Sequence, residues 1–463
     1  MLQAMTLRRQ PYIAALLAFA WFIGIRVISM APLTGDEPHY LVLAQSLLSD
    51  QDLKVANNYN RGDYRAYYAG ELDPHTIGGD DPALGRYSIH PPGLAAIVAP
   101  AFFPAGPWGA IVLLAALVAA GTGFVWSAGY SLTHSVAAAW FAWTVLTMTA
   151  PVALFGSLIY PDAVAGAIVA AGVWTVIRNR PIDDVHAVLL GVAVGALPWL
   201  HPRLAIATAG LVFVVALRTW NHRRQTVLFL TATVVMVSGW LVHFQVAYGS
   251  FDPRAAYGGR VPVDAAHVIN GLTALLADQE FGLLPNAPVH LVVASGLLLL
   301  ARLQRRVCAE LALIVVPYTV ATCGYSMWWA GYCPPARFLV PALFTVAPAA
   351  ALAWSATSRP SRIVALALLA VSVAIASFMA FPQHGALAYN DADGSARWMD
   401  WVSGGGWLSS VLPSFFRGHA AGTSATEMRW SLLKPALLWS VAAAGIVLWL
   451  ARWKRERLMR SID

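Results

Sequence analysis

Long runs of apolar residues, interrupted only by short polar stretches, fill most of the 463-residue chain and leave few folds open to it. About 20 such residues in a helix cross the roughly 30 Å hydrocarbon layer of a bilayer. Twelve stretches have the necessary character: 12–31, 108–130, 135–153, 161–178, 185–200, 203–217, 226–247, 288–303, 309–327, 336–355, 361–381 and 434–452. The reading is an all-α polytopic membrane protein with about twelve spans in one domain over 1–463. Charged residues make up 11% of the chain, under half the roughly 25% of soluble domains. That excludes a soluble enzyme, a disordered chain and a nucleic-acid partner. The three cysteines, Cys308, Cys323 and Cys333, cannot build a disulfide framework; a Cys323–Cys333 pair is one reading and free apolar side chains the favoured one.

Orientation follows from the basic residues. With the N-terminus in the cytoplasm, 17 of the 30 Arg and Lys lie in cytoplasmic segments, including Arg8-Arg9, Arg223-Arg224, Arg305-Arg306 and the tail 453–463. Both termini are then cytoplasmic. Arg8 and Arg9 before an apolar run resemble a signal peptide, but Arg26 interrupts the run and no small-residue cleavage site follows, so the segment reads as an uncleaved span. Three long segments face outward: 32–107, 248–287 and 382–433. The scarcity of lysine, with abundant Ala, Gly and Val, suggests a bacterial chain and hence an inner membrane with a periplasmic outer face.

In the first outer segment, residues 39–50 repeat apolar positions at helical spacing and predict an amphipathic helix on the membrane surface. Residues 57–90 carry turn signals. The stretch 92–105, too short to span and punctuated by Pro100 and Pro104, predicts a re-entrant or interfacial element. Trp398, Trp401, Trp407, Phe415 and Phe416 predict an interfacial belt in the third.

The candidate chemistry gathers on the outer face. Asp36 and Glu37 stand just beyond the first span, where a buried charge is costly and usually functional. Such a carboxylate can take a proton from an attacking hydroxyl, hold a divalent cation, or cap the helix that follows. Tyr160-Pro161-Asp162 opens the fourth span on the same side. His39, His90 before Pro91-Pro92, and His201-Pro202-Arg203 at a hairpin tip add imidazoles and a cation. Trp328-Trp329 precede Arg337, whose planar fork suits a phosphate. The Trp pair reads as an interface anchor, a sugar platform or a contact for a prenyl chain. Arg26 lies near the outer end of the first span. Carboxylates beside cations suit transfer from a phosphate-linked donor, and a lipid-phosphate donor reaches an outward site from within the membrane. No P-loop, dinucleotide fingerprint or zinc motif is present.

These residues resemble those of the GT-C superfamily of membrane glycosyltransferases, closest to the protein O-mannosyltransferase and aminoarabinose transferase type. The likeness rests on Asp36-Glu37, the helical segment 39–50, His90-Pro91-Pro92, Tyr160-Pro161-Asp162, the 282–288 stretch and Trp328 to Arg337. It implies an inverting transfer from a polyprenyl-phosphate sugar to a periplasmic-face glycan, lipid or protein. Asp36 matches the family's base, with Glu37 or Asp162 as the second acid. His90 stands where relatives place Lys against the donor phosphate, and Arg337 looks like a further phosphate contact. A divalent cation is possible within the superfamily. Competing readings are a transporter or lipid flippase, which expects charges at mid-membrane, and a non-catalytic envelope-assembly protein.

Overall fold

The computed structural model describes residues 2–76, 87–178, 180–257, 263–416 and 425–451. The basic tail 453–463 and residues 77–86 of the turn-rich stretch lie outside them. Lipid offers backbone amides no partner, so the apolar runs close their hydrogen bonds within helices. In chain order these are α1 (Leu2–Ser29), α2 (Glu37–Gln45), α3 (Pro92–Thr133), α4 (Val136–Thr147), α5 (Pro161–Arg178) and α6 (Asp184–Leu200). There follow α7 (Leu204–Thr219), α8 (Arg223–Tyr248), α9 (Ala265–Ala277), α10 (His290–Leu303) and α11 (Arg305–Cys323). The last are α12 (Val340–Val346), α13 (Ala349–Ala356), α14 (Arg359–Ala380) and α15 (Ala425–Leu450). Among the described residues no strand forms, only isolated bridges such as Thr76 to Ser88.

Six helices, α1, α3, α5, α8, α11 and α14, are long and apolar enough to cross a membrane. A seventh crossing results if Arg337–Val346 and Ala349–Ala356, bent by 55°, form one broken span. A helix occupies each of the twelve expected stretches, but the others are shorter apolar helices, α15 counting over Leu437–Leu450. By length and composition the described residues thus supply six or seven spans, against about twelve read from the sequence.

Helix α3 is the central post. It packs against α1, α4 and α5, while α8 lies along α6 and α11 along α7. Residues 92–105 form a helical arm of their own, set off from the rest of α3 by the break at Gly106 (φ 59°, ψ −150°), beyond which Gly109 returns against the Ala101 carbonyl. The prolines at 100, 104 and 107 crowd that break, where backbone bonds are lost and a kink is expected.

The helix expected to lie on the membrane surface does not. Glu37 through Ala44 are all buried, and α2 packs against α3. The helical spacing was real, but Tyr40, Leu41, Val42 and Leu43 are apolar around the whole circumference, the mark of a core helix rather than an interfacial one. The aromatic belt divides similarly. Trp401 and Trp407 are exposed, whereas Trp398 is buried and donates to Asn286 Oδ1 at 2.8 Å.

Buried ion pairs collect in two separate layers. Asp162 pairs with Arg203 and Arg337, and Glu310 pairs with Arg218 at 2.5 Å. Arg203 and Arg218 flank α7, so a helical rise of 1.5 Å per residue separates the two layers by about 22 Å.

Candidate active site

The outer layer is built from the starts of helices. Gly35 adopts φ +58°, and a Cβ there would stand 2.3 Å from the Tyr160 hydroxyl oxygen and 2.8 Å from the Tyr332 carbonyl. Only glycine permits both the left-handed turn and that approach. The turn aims Asp36 at the mouth of α5. Pro38 then sits in the first turn of α2, where its missing N–H costs nothing. Asp36 occupies the N-cap position, yet its side chain makes no capping hydrogen bond. The carboxylate is therefore left to the site.

That carboxylate accepts from Arg337 Nη1 at 2.7 Å, and the same guanidinium donates through Nε to Asp162 Oδ2 at 3.0 Å. Arg203 holds the other oxygen of Asp162. The result is a continuous chain of alternating charge, Asp36, Arg337, Asp162, Arg203. Each guanidinium also lies over a ring, Arg337 over Tyr160 at 4.4 Å and Arg203 over Phe338 at 4.1 Å. Tyr160 does double duty, since its hydroxyl accepts the Asp36 backbone N–H at 3.1 Å. The Asp162 side chain is fully buried, whereas that of Asp36 is 23% exposed. Of the three acids, Asp36 is the one a substrate can reach.

Burial alone would raise the Asp36 pKa, but the Arg337 guanidinium, helped by His90 and His39, outweighs it and holds the carboxyl well below the usual carboxylate range. With both oxygens of Asp162 and one of Asp36 bound to guanidinia, the carboxylates are matched to protein cations rather than arranged as a metal cage. His201, at the hairpin tip, is driven far below the ordinary histidine range by burial and by Arg203 and Arg337. Its Nδ1 accepts the Arg203 backbone N–H at 3.3 Å. The tip is close to the first segment because Gly93 approaches the Trp199 carbonyl so nearly that a Cβ would lie 2.5 Å from its oxygen.

Glu37 points away from this chain. It is fully buried, accepts the Ile159 and Thr34 backbone N–H groups at 3.0 Å each, and lies 3.8 Å from Arg26. Burial raises its pKa, opposed by Arg26 and the two amides. It ties the end of α1 to the residues before α5 and so positions Asp36, but its oxygens are already occupied. Asp162, likewise expected among the reacting acids, is placed to orient Arg203 and Arg337.

The tryptophans are not an open platform. Trp328 is buried and stacks on Phe416 at 5.3 Å, with Phe281, Trp329 and Phe415 around it. Trp329 is half-buried. This aromatic box fastens the third outer segment to the loop that ends at Arg337, and the Ala336 N–H donates to the Phe281 carbonyl at 2.9 Å.

His39 and His90 come together with a residue the sequence reading passed over, His75. The His39 and His75 rings stack at 3.6 Å, and His75 Nδ1 lies 3.0 Å from His90 Nε2. A signal was available, because these are all the histidines of segment 32–107. Tyr59, also unremarked, holds His39 Nδ1 at 2.7 Å. The expected free cysteines are found free.

No protein-family model matches the sequence, and no curated protein is similar to it. Solved structures do match. ArnT from Cupriavidus metallidurans bound to undecaprenyl phosphate aligns over 97% of this chain and 76% of its own, at 15% identity and a TM-score of 0.54. Its apo form aligns equally, at 16% identity and 0.54. The oligosaccharyltransferase of Archaeoglobus fulgidus aligns more loosely, over 90% of this chain and 62% of its own, at 13% identity and 0.44. The chain shares the fold of ArnT, which is the fold that the resemblance read from its sequence implies.

Proposed function

We propose that this protein is a membrane glycosyltransferase that takes a sugar from a polyprenyl-phosphate donor and passes it to a periplasmic-face acceptor, a glycan, lipid or protein. The observation that carries the reading is the sharing of Arg337 between Asp36 and Asp162. A phosphate brought to this cleft competes with Asp36 for the guanidinium, and Asp162 keeps the side chain aimed while it changes partner. Release of Arg337 removes the main charge that depresses the Asp36 pKa, so the carboxylate gains basicity when the donor is seated. Asp36 then accepts the proton of the acceptor hydroxyl as its oxygen attacks the anomeric carbon from the face opposite the phosphate. The carbon–oxygen bond to the phosphate breaks with inversion, and Arg337, with Arg203 behind it, stabilises the leaving polyprenyl phosphate.

The fold shared with an ArnT crystallised with undecaprenyl phosphate supports a lipid-phosphate donor. The confinement of the acid–cation chain to one end of the bundle supports a site at the bilayer surface. We place it on the outer face of a bacterial inner membrane, with the N- and C-termini in the cytoplasm. Transport is less well served, since the buried ion pairs among the described residues lie at helix ends. Purified protein incubated with polyprenyl-phosphate sugars (mannose, glucose, arabinose, aminoarabinose) and a crude envelope extract tests the reading. Release of polyprenyl phosphate from one donor is expected. Binding of none of them would remove the transferase assignment.

A further inference from the structure

The three histidines of the first outer segment form a cluster that the acid–cation chain does not use. One ring nitrogen from each of His39, His75 and His90 lies within 4.8 Å of the other two. His39 and His90 are buried and His75 is half-buried. Beyond the Tyr59 hydroxyl and the nearby charge of Asp36, the three imidazoles have mainly one another as partners, an arrangement that a shared cation would complete.

Their backbone is fastened to bring them together. The Ile89 N–H donates to the His75 carbonyl at 3.0 Å, and Thr76 bridges Ser88. The His90 N–H donates to Ser88 Oγ at 3.0 Å, and Pro91 and Pro92 stiffen the chain beyond it. His39 is set by α2, one turn after Asp36, and Tyr59 engages its Nδ1, leaving Nε2 for the cluster. A polar partner on the far nitrogen is the usual support for a ligating histidine. We propose that His39, His75 and His90 bind a divalent transition-metal ion, zinc by the all-imidazole donor set, with a fourth position open.

The distances suit this. Nitrogens about 2.05 Å from a tetrahedral zinc stand roughly 3.3 Å apart, and His75 Nδ1 and His90 Nε2 are already at 3.0 Å. His39 must turn out of its parallel stack on His75, a rotation about its outer torsion. Three protein ligands with one open position are the pattern of a reactive rather than a closed structural site. Beside Asp36, that position is available to a donor phosphate oxygen; this last role rests on the proposed transferase reading, whereas metal binding does not.

The test uses tag-free, full-length protein in detergent, stripped with chelator and titrated with Zn²⁺ and then Co²⁺. One equivalent of zinc and the visible absorption of tetrahedral cobalt are expected. His75→Ala should weaken zinc by about 100-fold or more, and Tyr59→Phe by about 10- to 100-fold, each compared by melting of the chelated proteins. Tyr59→Phe keeps the ring and carries the test if His75→Ala does not fold. Less than one equivalent in the wild type, or equal affinity in the variants, overturns the site. Donor consumption by stripped and loaded protein separates the two claims. Turnover without metal binding refutes the metal and keeps the transferase; metal binding with no donor bound does the reverse.

Discussion

Removing Arg337 tests the charge chain at its centre. In Arg337→Ala, the fully buried Asp162 keeps Arg203 but loses its second cation, and Asp36 loses its ion-pair partner. Breaking a buried pair costs roughly 3–5 kcal/mol, and the surviving Arg203 places the expected loss near the lower end, about 3 kcal/mol. The sign at Asp36 reverses with pH. In the wild type its pKa is depressed, so its stabilisation is present at neutral pH and is lost as pH falls through the depressed value. Without the guanidinium, burial dominates and raises the pKa. The ionised carboxylate then destabilises the variant at neutral pH, and stability is regained as pH falls toward about 4. Adding Asp36→Asn to Arg337→Ala removes that unpaired charge and should recover about 1–2 kcal/mol, one pKa unit being worth about 1.4 kcal/mol. Equilibrium unfolding in mixed micelles, followed by tryptophan fluorescence, reads each corner of the cycle. A double variant no more stable than Arg337→Ala would refute the account of this ion pair.

Other perturbations separate positioning from chemistry. Glu37→Gln leaves Arg26 buried without its counter-charge and should cost about 2–4 kcal/mol, while turnover per folded molecule stays within the same order; lost turnover at full stability would return Glu37 to the reacting groups. Gly35→Ala must hold a left-handed residue, about 1–2 kcal/mol, and push Tyr160 from beneath Arg337. Its activity should fall more than its melting temperature, and an unchanged rate would show that this turn does not position Asp36. Trp328→Ala should cost about 3–5 kcal/mol and expose 411–416 to limited proteolysis; protection unchanged from the wild type would mean the aromatic box does not hold the third outer segment.

Much of the site was legible in the sequence because ionisable residues are rare in this chain and cluster at helix ends. Asp36, Asp162, Arg203 and Arg337 were each recognisable alone, and a common outer side brought them into one cleft. Three features were hidden for physical reasons. Adjacent acids look alike in a sequence, but successive residues of a helix point about 100° apart, so Asp36 meets Arg337 while Glu37 turns to Arg26. The apolar run of α2 reads as interfacial unless one knows that α3 covers it. His75 stood in a loop rich in turn residues and gained meaning only when the chain returned beside His39 and His90.

The central claim is that Asp36 takes the acceptor's proton. The direct measurement is single-turnover release of polyprenyl phosphate by wild type and Asp36→Asn, using the donor the wild type consumes, with donor affinity measured on both. Loss of a general base costs about 10²- to 10⁴-fold in rate, so the account predicts a fall of that size with the protein folded and the donor still bound. Release at the wild-type rate by Asp36→Asn would contradict it.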